Sequence, residues 1–484
     1  MLNELVDFTV MIKISIDVFL KLVLVVLFLS CSERKDMDSS NSMDKKLFER
    51  VPPTKTGINH MNTIIETDLI NFYTWKNIYN GGGVAIGDIN NDGLADVYLS
   101  SNLYSNKLYL NKGDFVFEDI SKSAGVLAND GYKTGVSMAD INGDGWLDIY
   151  VCRDAHSNRS LRTNLVYINN GDLTFSEKAL ELGLVDNSYS TQAIFFDYDL
   201  DNDIDLYLVN HHYDFDKAIR VRMKNVNGNA IRNTDPETPF FSDRLFKNEN
   251  GVFVDVTLAA GVGNHTYGLS ASVTDINGDG YPDLFIANDF VEPDQFMVNS
   301  GNGTFSNQVD KYFGHMSNSS MGSDFGDINN DGLEDLLVLD MLAEDNYRQK
   351  LMSTPMVYNR VQMLLRFDYK HQIMRNMLHL NNGDRKFSEI GQLTGLSNTD
   401  WSWGALLVDL DNNGFNDALI TNGFKKDMTN LDYIDFKTDS IQRAKLQNQE
   451  AITLENWREW VDYIPSNKLS NYAYKNDGNL KFEN

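Results

Sequence analysis

Asp140-Ile141-Asn142-Gly143-Asp144-Gly145-Trp146-Leu147-Asp148 carries oxygen-bearing side chains at its first, third, fifth and ninth positions and a glycine at its sixth. A chain that turns tightly can aim those alternate side chains at one point. The turn needs a residue that tolerates φ > 0 after the fifth position, and glycine does so without a Cβ penalty. A point ringed by carboxylate, amide and backbone oxygens suits a hard divalent cation, and Ca²⁺ takes six to eight such ligands. Mg²⁺ suits it less, because it demands stricter octahedral geometry and keeps its water.

The pattern recurs, so that six loops lie along 484 residues. The first offers Asp88, Asn90, Asp92 and Asp96; the second Asp140, Asn142, Asp144 and Asp148; the third Asp197, Asp199, Asp201 and Asp205. The fourth offers Asp275, Asn277, Asp279 and Asp283; the fifth Asp327, Asn329, Asp331 and Asp335; the sixth Asp409, Asp411, Asn413 and Asp417. These residues are the candidate metal ligands, at about six calcium sites by one ion per loop. The third loop has Asn202 in place of glycine, a residue that still tolerates a left-handed conformation. The sixth has a neutral Asn413 at its fifth position, so it is expected to bind most weakly. A lone loop of Asp, Asn and Gly is as readily a plain turn; repetition at one place in a repeat favours the metal.

The flanks also repeat. A small-residue apolar stretch such as Gly82–Gly87 precedes a loop, and a β-rich run such as Ile149-Tyr150-Val151 follows it. A hairpin comes next, as in Leu165-Val166-Tyr167-Ile168-Asn169-Asn170-Gly171 with Leu173-Thr174-Phe175. Short runs of Val, Ile, Leu and Tyr between turn residues read as strands, and Asn-Gly turns close hairpins. Each unit therefore has four strands, and four-stranded antiparallel units repeated about an axis make a β-propeller. The expected fold is all-β, with six loop-bearing blades; a seven-bladed ring is the alternative, with residues 59–79 able to supply or take a strand. Loop spacings of 52, 57, 78, 52 and 82 residues place insertions within the third and fifth units. With one more in the sixth, the partly helical insertions cover about 210–243, 341–375 and 424–470. The chain stops inside a hairpin at Leu480–Asn484, which reads as the end of a truncated product.

Composition excludes one class of partner. Against 42 Lys and Arg stand 69 Asp and Glu, a net of −27, the wrong sign for nucleic acid, which is held by clustered basic residues. At the N-terminus, residues 1–30 read as a secretion signal with Leu22–Leu29 as its apolar core, too short for a membrane span. Met11 is a second possible start. The signal ends at Ser30-Cys31 and resembles that of a bacterial lipoprotein, which implies lipidation at Cys31. Residues 31–46 form a polar tether, and 47–484 the propeller. Cys152 then stands alone in a strand, with no disulfide framework.

The loops and their glycine-rich approach strands resemble the FG-GAP/VCBS repeats of bacterial surface proteins and the calcium blades of integrin α chains. Arg375–Gly383, Thr399-Asp400-Trp401-Ser402-Trp403-Gly404 and Thr421-Asn422-Gly423-Phe424 resemble, more narrowly, VCBS-repeat lipoproteins of the ASPIC/UnbV group. That resemblance implies a C-terminal ASPIC/UnbV domain, which this sequence does not contain. It also implies anchorage at the outer membrane with the propeller exposed at the cell surface.

The remaining residues give no catalytic signature: G-x-S-x-G, H-E-x-x-H and a phosphate-binding glycine loop are all missing. His211-His212 lacks further ligands at metal spacing and reads as part of a polar loop. Thr453–Trp460, within a helix expected over 437–463, puts Trp457 and Trp460 on one face for core packing. Trp401 and Trp403, two apart in an approach strand, share a side of it. Blade packing is their simpler role and a sugar platform the sharper one, so they are the candidate ligand-binding residues. The expected function is adhesion or recognition, binding an extracellular protein or glycan while Ca²⁺ acts structurally. A carbohydrate-active enzyme (a polysaccharide lyase or hydrolase) or a scaffold subunit of an outer-membrane complex is the alternative.

Overall fold

The second strand of each unit explains how the units stack. In blade 2, Asp148–Asp154 is buried along its whole length. Ile149 and Val151 pack back on Tyr98 and Leu108 of blade 1, whereas Tyr150, with Val166, packs forward on Leu206 and Leu208 of blade 3. The two-residue strand period splits one run between two cores. A computed structural model describes residues 48–155, 157–236, 241–352, 357–447, 452–453 and 456–484. The expected signal at 1–30, the expected tether at 31–46 and Cys31 lie outside them.

Residues 51–484 form a six-bladed propeller. Each blade is a four-stranded antiparallel sheet in chain order from the axis outward. Blade 1 comprises Val84–Gly87, Asp96–Leu99, Lys107–Asn111 and Phe117–Asp119. The inner strands of the later blades are Tyr132–Ala139, Ser190–Phe196, Gly268–Thr274, Ser323–Gly326 and Ser402–Val408. Residues 59–79 contribute no strand; they hold turns and a short 3₁₀ segment, Lys76–Tyr79.

The stacking pattern continues. Tyr207 and Leu245 meet Leu284 and Ile286. Phe285 and Phe296 meet Leu336 and Val338. Leu337 and Leu378 meet Ala418 and Ile420. Full burial of each such side chain stabilises by about 1.5–3 kcal/mol, so a blade interface is worth far more than any single polar contact. Among the described residues these are five interfaces for six blades. Between blades 6 and 1 no such core forms: Val84 and Ile86 are 58% and 65% exposed on one side and Leu406 is 45% exposed on the other. Val97 and Leu99, at the positions filled by Ile149 and Val151 in blade 2, are only half-buried.

The insertions join second strands to third strands, at the ends of the sheets opposite the acidic loops. Blade 3 inserts a short helix, Phe215–Ala218, and a hairpin, Met223–Val226 with Asn229–Arg232. Blade 5 inserts helices Asn346–Leu351 and Tyr358–Arg366. Blade 6 inserts Leu431–Leu446 and Trp457–Asp462. The helix expected over 437–463 is thus two helices, the first opened by the Asn430 side chain, which accepts the Tyr433 N–H. The insertions are linked. Tyr369 accepts the Arg222 N–H through its hydroxyl at 2.7 Å, and the Tyr73 and Tyr433 hydroxyls meet at 2.7 Å. Trp457 and Trp460 are buried, as expected of packing residues. Cys152 is buried and unpaired. No described helix is long and apolar enough to cross a membrane.

Candidate functional site

Two places concentrate chemistry, one on each face. On the lower face the six loops share one hydrogen-bond plan. The first-position Asp accepts the N–H of the fifth residue through Oδ1 and that of the sixth through Oδ2. In the second loop these bonds run from Asp144 and Gly145 to Asp140 at 2.9 and 2.8 Å. The same pair ties Asp201 and Asn202 to Asp197, and Asn413 and Gly414 to Asp409. The sixth residue is left-handed throughout, with φ of +89° at Gly145 and +70° at Asn202. The fourth position is left-handed as well, even where it is Leu200, at φ +61°. That conformation is costly for a γ-branched residue and marks a loop held by its bonds.

The ninth-position Asp does something more. It is fully buried in all six loops. Asp148 accepts the Ile141 N–H within its own loop and the Asn169 N–H from the third strand, both at 2.8 Å. The equivalent third-strand bond exists in every blade, to Asp96, Asp205, Asp283, Asp335 and Asp417. The hairpin asparagines therefore belong to the site. Asn169 accepts the Gly171 N–H and donates its amide to the Leu147 carbonyl and, across the blade boundary, to that of Ile89. Sequence reading saw them only as turn residues, although their recurrence before each turn glycine was the available signal.

The acidity is strained. Burial pushes Asp148, Asp283 and Asp335 up to about 6 and Asp205 up to about 7, with the loops' own carboxylates adding to the rise against the backbone N–H bonds. In the third loop Asp197, Asp199 and Asp205 bring carboxylate oxygens within 4.8 Å of one another, and Asp409, Asp411 and Asp417 do so in the sixth. Asn90 Oδ1 and Asp199 Oδ1, both third-position oxygens, are buried with no partner among the described residues. Clustered carboxylates and such orphaned acceptors fit a hard divalent cation. The structure thus assembles the first, third, fifth and ninth residues of each expected loop as one unit.

On the upper face the inner strands converge on a hollow of roughly 280 Å³, lined by residues of all six blades, from Gly83 and Thr134 to Gly322 and Trp403. Close approach shapes it: a Cβ on Gly83 would stand 2.8 Å from the Thr134 carbonyl oxygen, and one on Gly322 2.1 Å from that of Trp403. A second hollow of roughly 230 Å³ adjoins it through Asn77, Asn80, Met321 and Trp403. Its walls are aromatic: Trp401, Trp403, Phe424, Phe215 and Phe290, with Lys76 and Asp289 as charged groups. Phe424 stacks between the tryptophans, 4.4 Å from Trp401 and 6.0 Å from Trp403. Both expected ligand-binding residues thus line the cavity wall instead of filling an inter-blade core. Their indole N–H groups are buried and find no acceptor among the described residues.

Polar groups surround these walls. His211 Nε2 lies 3.1 Å from Asp154 Oδ2 and Nδ1 3.1 Å from the His212 carbonyl oxygen, so both ring nitrogens face acceptors. Asp154 Oδ1 is buried without a partner among the described residues, in a side chain that lines the axial hollow. The expected polar loop at His211-His212 is wrong: both rings are buried, His211 stacked 4.5 Å from Tyr267 and His212 4.5 Å from Phe241. Burial pushes the Asp289 carboxyl up to about 7, and burial followed by the Lys437 charge brings Lys76 down to about 8. Asp154, His211 and Asp289 each stand six residues after a ninth-position Asp. That offset carries the chain from one face to the other, and it was the missed signal for this rim.

The chain is similar to known proteins. The FG-GAP-like repeat model matches residues 88–151 and 275–338. Cartilage acidic protein 1 of Xenopus tropicalis is 30% identical over 216 residues, 44% of this chain and 29% of that protein. The human protein of that name is 26% identical over 232 residues, 47% of this chain and 31% of that protein. The matched region therefore spans under a third of the length of either relative. An Agrocybe aegerita lectin that recognises non-reducing terminal N-acetylglucosamine has a TM-score of 0.40 at 15% identity, covering 86% of this chain and 82% of the lectin. Trypanosoma rangeli sialidase with sialic acid scores 0.33 at 11% identity, covering 75% of this chain and 56% of the sialidase. Likeness at these scores says nothing about ligand. The chain carries FG-GAP repeats on a six-bladed propeller and is similar to cartilage acidic protein 1.

Proposed function

We propose that this chain is an extracellular recognition module: a propeller cross-linked by calcium on one face that binds a glycan terminus in the cavity of the other. The observation that carries the ligand site is the cavity wall. Two indole N–H donors are buried without partners among the described residues in the wall formed with the flat faces of Trp401, Trp403 and Phe424, and the Asp154 Oδ1 acceptor is likewise unpartnered in the adjoining axial hollow. Buried polar groups are nearly always satisfied, so such a set favours an incoming molecule with hydroxyls at its edge and C–H groups on its face. A sugar ring has that character. The two connected hollows suit one or two rings in size, and an extracellular protein would be recognised through the glycan it carries.

Calcium is the cation favoured for the loops because the donors are all oxygen and the set is irregular. Its work is structural: it neutralises three or four carboxylates per loop and ties the loop to the third strand, coupling binding to folding. Secretion, lipidation at Cys31 and display at the outer membrane follow from the sequence signal and complete the proposal.

A glycan array probed with the calcium-loaded protein tests the ligand site. Retention of a defined terminal sugar, lost in Trp403→Ala but kept in a loop variant, supports it. Retention that is indifferent to Trp403→Ala and Asp154→Asn overturns it, and release of an unsaturated sugar product would instead make the cavity that of a lyase.

A further inference from the structure

Two of the six loops are built differently, and the difference is paired with a second residue. Loops one, two, four and five have Asn at the third position, and their third strands carry Leu110, Ile168, Val298 or Leu380 just before the hairpin Asn. Loops three and six have Asp199 and Asp411 at the third position, and there the residue before the hairpin Asn is Lys247 or Lys475. Asn goes with an aliphatic residue in four blades and Asp with lysine in two, so the exchange preserves net charge.

The geometry says what the lysine replaces. In loops one, two and five the third-position amide Nδ2 donates to the fifth-position Asp Oδ2, at 3.0, 2.9 and 3.0 Å. This clamp fixes the amide plane: in loops two and five the third-position Oδ1 also accepts the N–H of the fifth residue, at 3.0 Å in each, whereas in Asn90 that atom is buried with no partner among the described residues. An aspartate has no such donor, and in loop three the carboxylates at positions three and five repel; in loop six the fifth position is the neutral Asn413, whose amide donates to the Asn476 carbonyl instead. In loop three the Lys247 ammonium fills the gap: it bonds Asp199 Oδ2 and lies 3.0 Å from Asp201 Oδ2. Asp199 Oδ1 is then left buried with no partner among the described residues, like its counterpart in Asn90. In loop six Lys475 holds Asp411 Oδ2 and Asp477 Oδ1, each at 3.0 Å.

We infer that Lys247 and Lys475 are positioning residues for the cation loops, each supplying from the third strand a donor to the third-position carboxylate: Lys247 bridges it to the fifth-position carboxylate, as the asparagine amide does in loops one, two and five, and Lys475 bridges it to Asp477. They set the third-position carboxylate with one oxygen turned to the metal and offset its extra charge. This rests on the metal reading of the loops. The lysines thereby make loops three and six depend on the third strand being in register, whereas loops one, two and five carry their clamp themselves.

Calcium stoichiometry of the full chain, by equilibrium dialysis and by terbium luminescence, tests this. The wild type is expected to bind about six ions, one per loop. Lys247→Met is expected to lose about one or to weaken it at least tenfold, and Lys247→Leu with Asp199→Asn, which recreates the asparagine pattern, to restore it. A merely structural lysine would not be rescued by changing Asp199. Should Lys247→Met fail to fold, Lys475→Met reports on the sixth loop, where the lysine is 45% exposed and less built in. An unchanged count in both lysine variants overturns the inference while leaving the metal reading intact. A wild-type count near four, rising on the double exchange, also overturns it, because the ammonium would then stand in for the ion. Absence of any bound ion overturns the metal reading and this one together.

Discussion

Arg348, on the first helix of the blade 5 insertion, grips Asp400 at the entry to blade 6 through two guanidinium nitrogens, with Nη2 2.8 Å from Oδ1. Its third nitrogen, Nη1, reaches Asp427 of the next insertion at 2.7 Å. All three side chains are mostly buried, and Asp400 directly precedes Trp401. One residue thus ties two insertions to the cavity wall. Arg348→Met strands two buried carboxylates, and loss of one partner from a buried pair typically costs about 3–5 kcal/mol. Urea denaturation is expected to show a loss of that order, with faster proteolysis of the 341–375 insertion. Adding Asp400→Asn and Asp427→Asn should recover most of it; no recovery would mean that the pair is not the cause.

The ninth-position and fifth-position carboxylates are expected to separate. Asp148→Ala removes a buried acceptor of two backbone N–H bonds, and orphaning such donors costs about 1–3 kcal/mol each. It should destabilise with or without calcium. Asp144→Ala, in the exposed part of the loop, should cost little in excess chelator and mainly lower calcium affinity. Paired melting curves in calcium and in EGTA check this, and equal behaviour of the two variants would contradict it.

Removing calcium from the wild type is expected to lower the melting temperature by well over ten degrees. Each site held at one hundred times its dissociation constant adds about 2.7 kcal/mol, and several loops act together. Magnesium at the same concentration should restore only part of the loss. An unchanged calorimetric melt in excess EGTA would refute calcium-linked stability.

Stability should fall as pH rises from 6.5 to 7.5 at saturating calcium, below the point at which Lys76 and Lys133, both brought down to about 8 by burial, add a term of opposite sign. Burial pushes Asp294 up to about 8 and Asp289 up to about 7, against about 3.9 for an unfolded Asp. Between those values the folded chain binds more protons than the unfolded one, so stability is greatest where the acids are protonated and is lost toward higher pH. His379, brought down to about 3 by burial, is neutral in the folded chain, while unfolded it is about half protonated at pH 6.5 and loses that proton by about pH 7.5, a smaller term of opposite sign. A fall of about 1 °C per kcal/mol lost is expected for a chain of this size, from an unfolding entropy of about 2.1 cal/mol/K per residue. Asp294→Asn should flatten the slope, and a melting point that climbs with pH would contradict the account.

The propeller was legible because its signal is repeated: strand period, loop spacing and turn residues agree in every unit, and the second-to-third strand connections show as excess length. Local features were equally plain, such as the helix at Tyr358–Arg366. What stayed hidden depends on partners distant in sequence. The burial of His211 is decided by Asp154, Asn77 and Tyr267, residues of three other segments. Trp401 and Trp403 declared themselves as aromatic neighbours, but their place on a cavity wall is set by Phe424, which only the sheet register brings beside them. The segment 59–79 carries no period, so nothing local disclosed that Phe72, Trp75 and Tyr79 would pack against Trp401, Phe424 and Trp457.

Five interfaces for six blades leave the ring with a seam, and that seam runs beside the axial hollow. Trp403 forms one lip and Gly82, Gly83 and Val84 the other. The segment before blade 1 crosses above it: the Lys425 ammonium holds the Ile64 carbonyl at 2.8 Å, and Tyr79 packs edge-on against Phe424 at 5.6 Å. Blades 6 and 1 are thus held together, among the described residues, by this segment and not by a shared core. A guest seated against both lips works as a crossbar, and the free energy it gains by touching the second lip is the same free energy by which it joins the two blades.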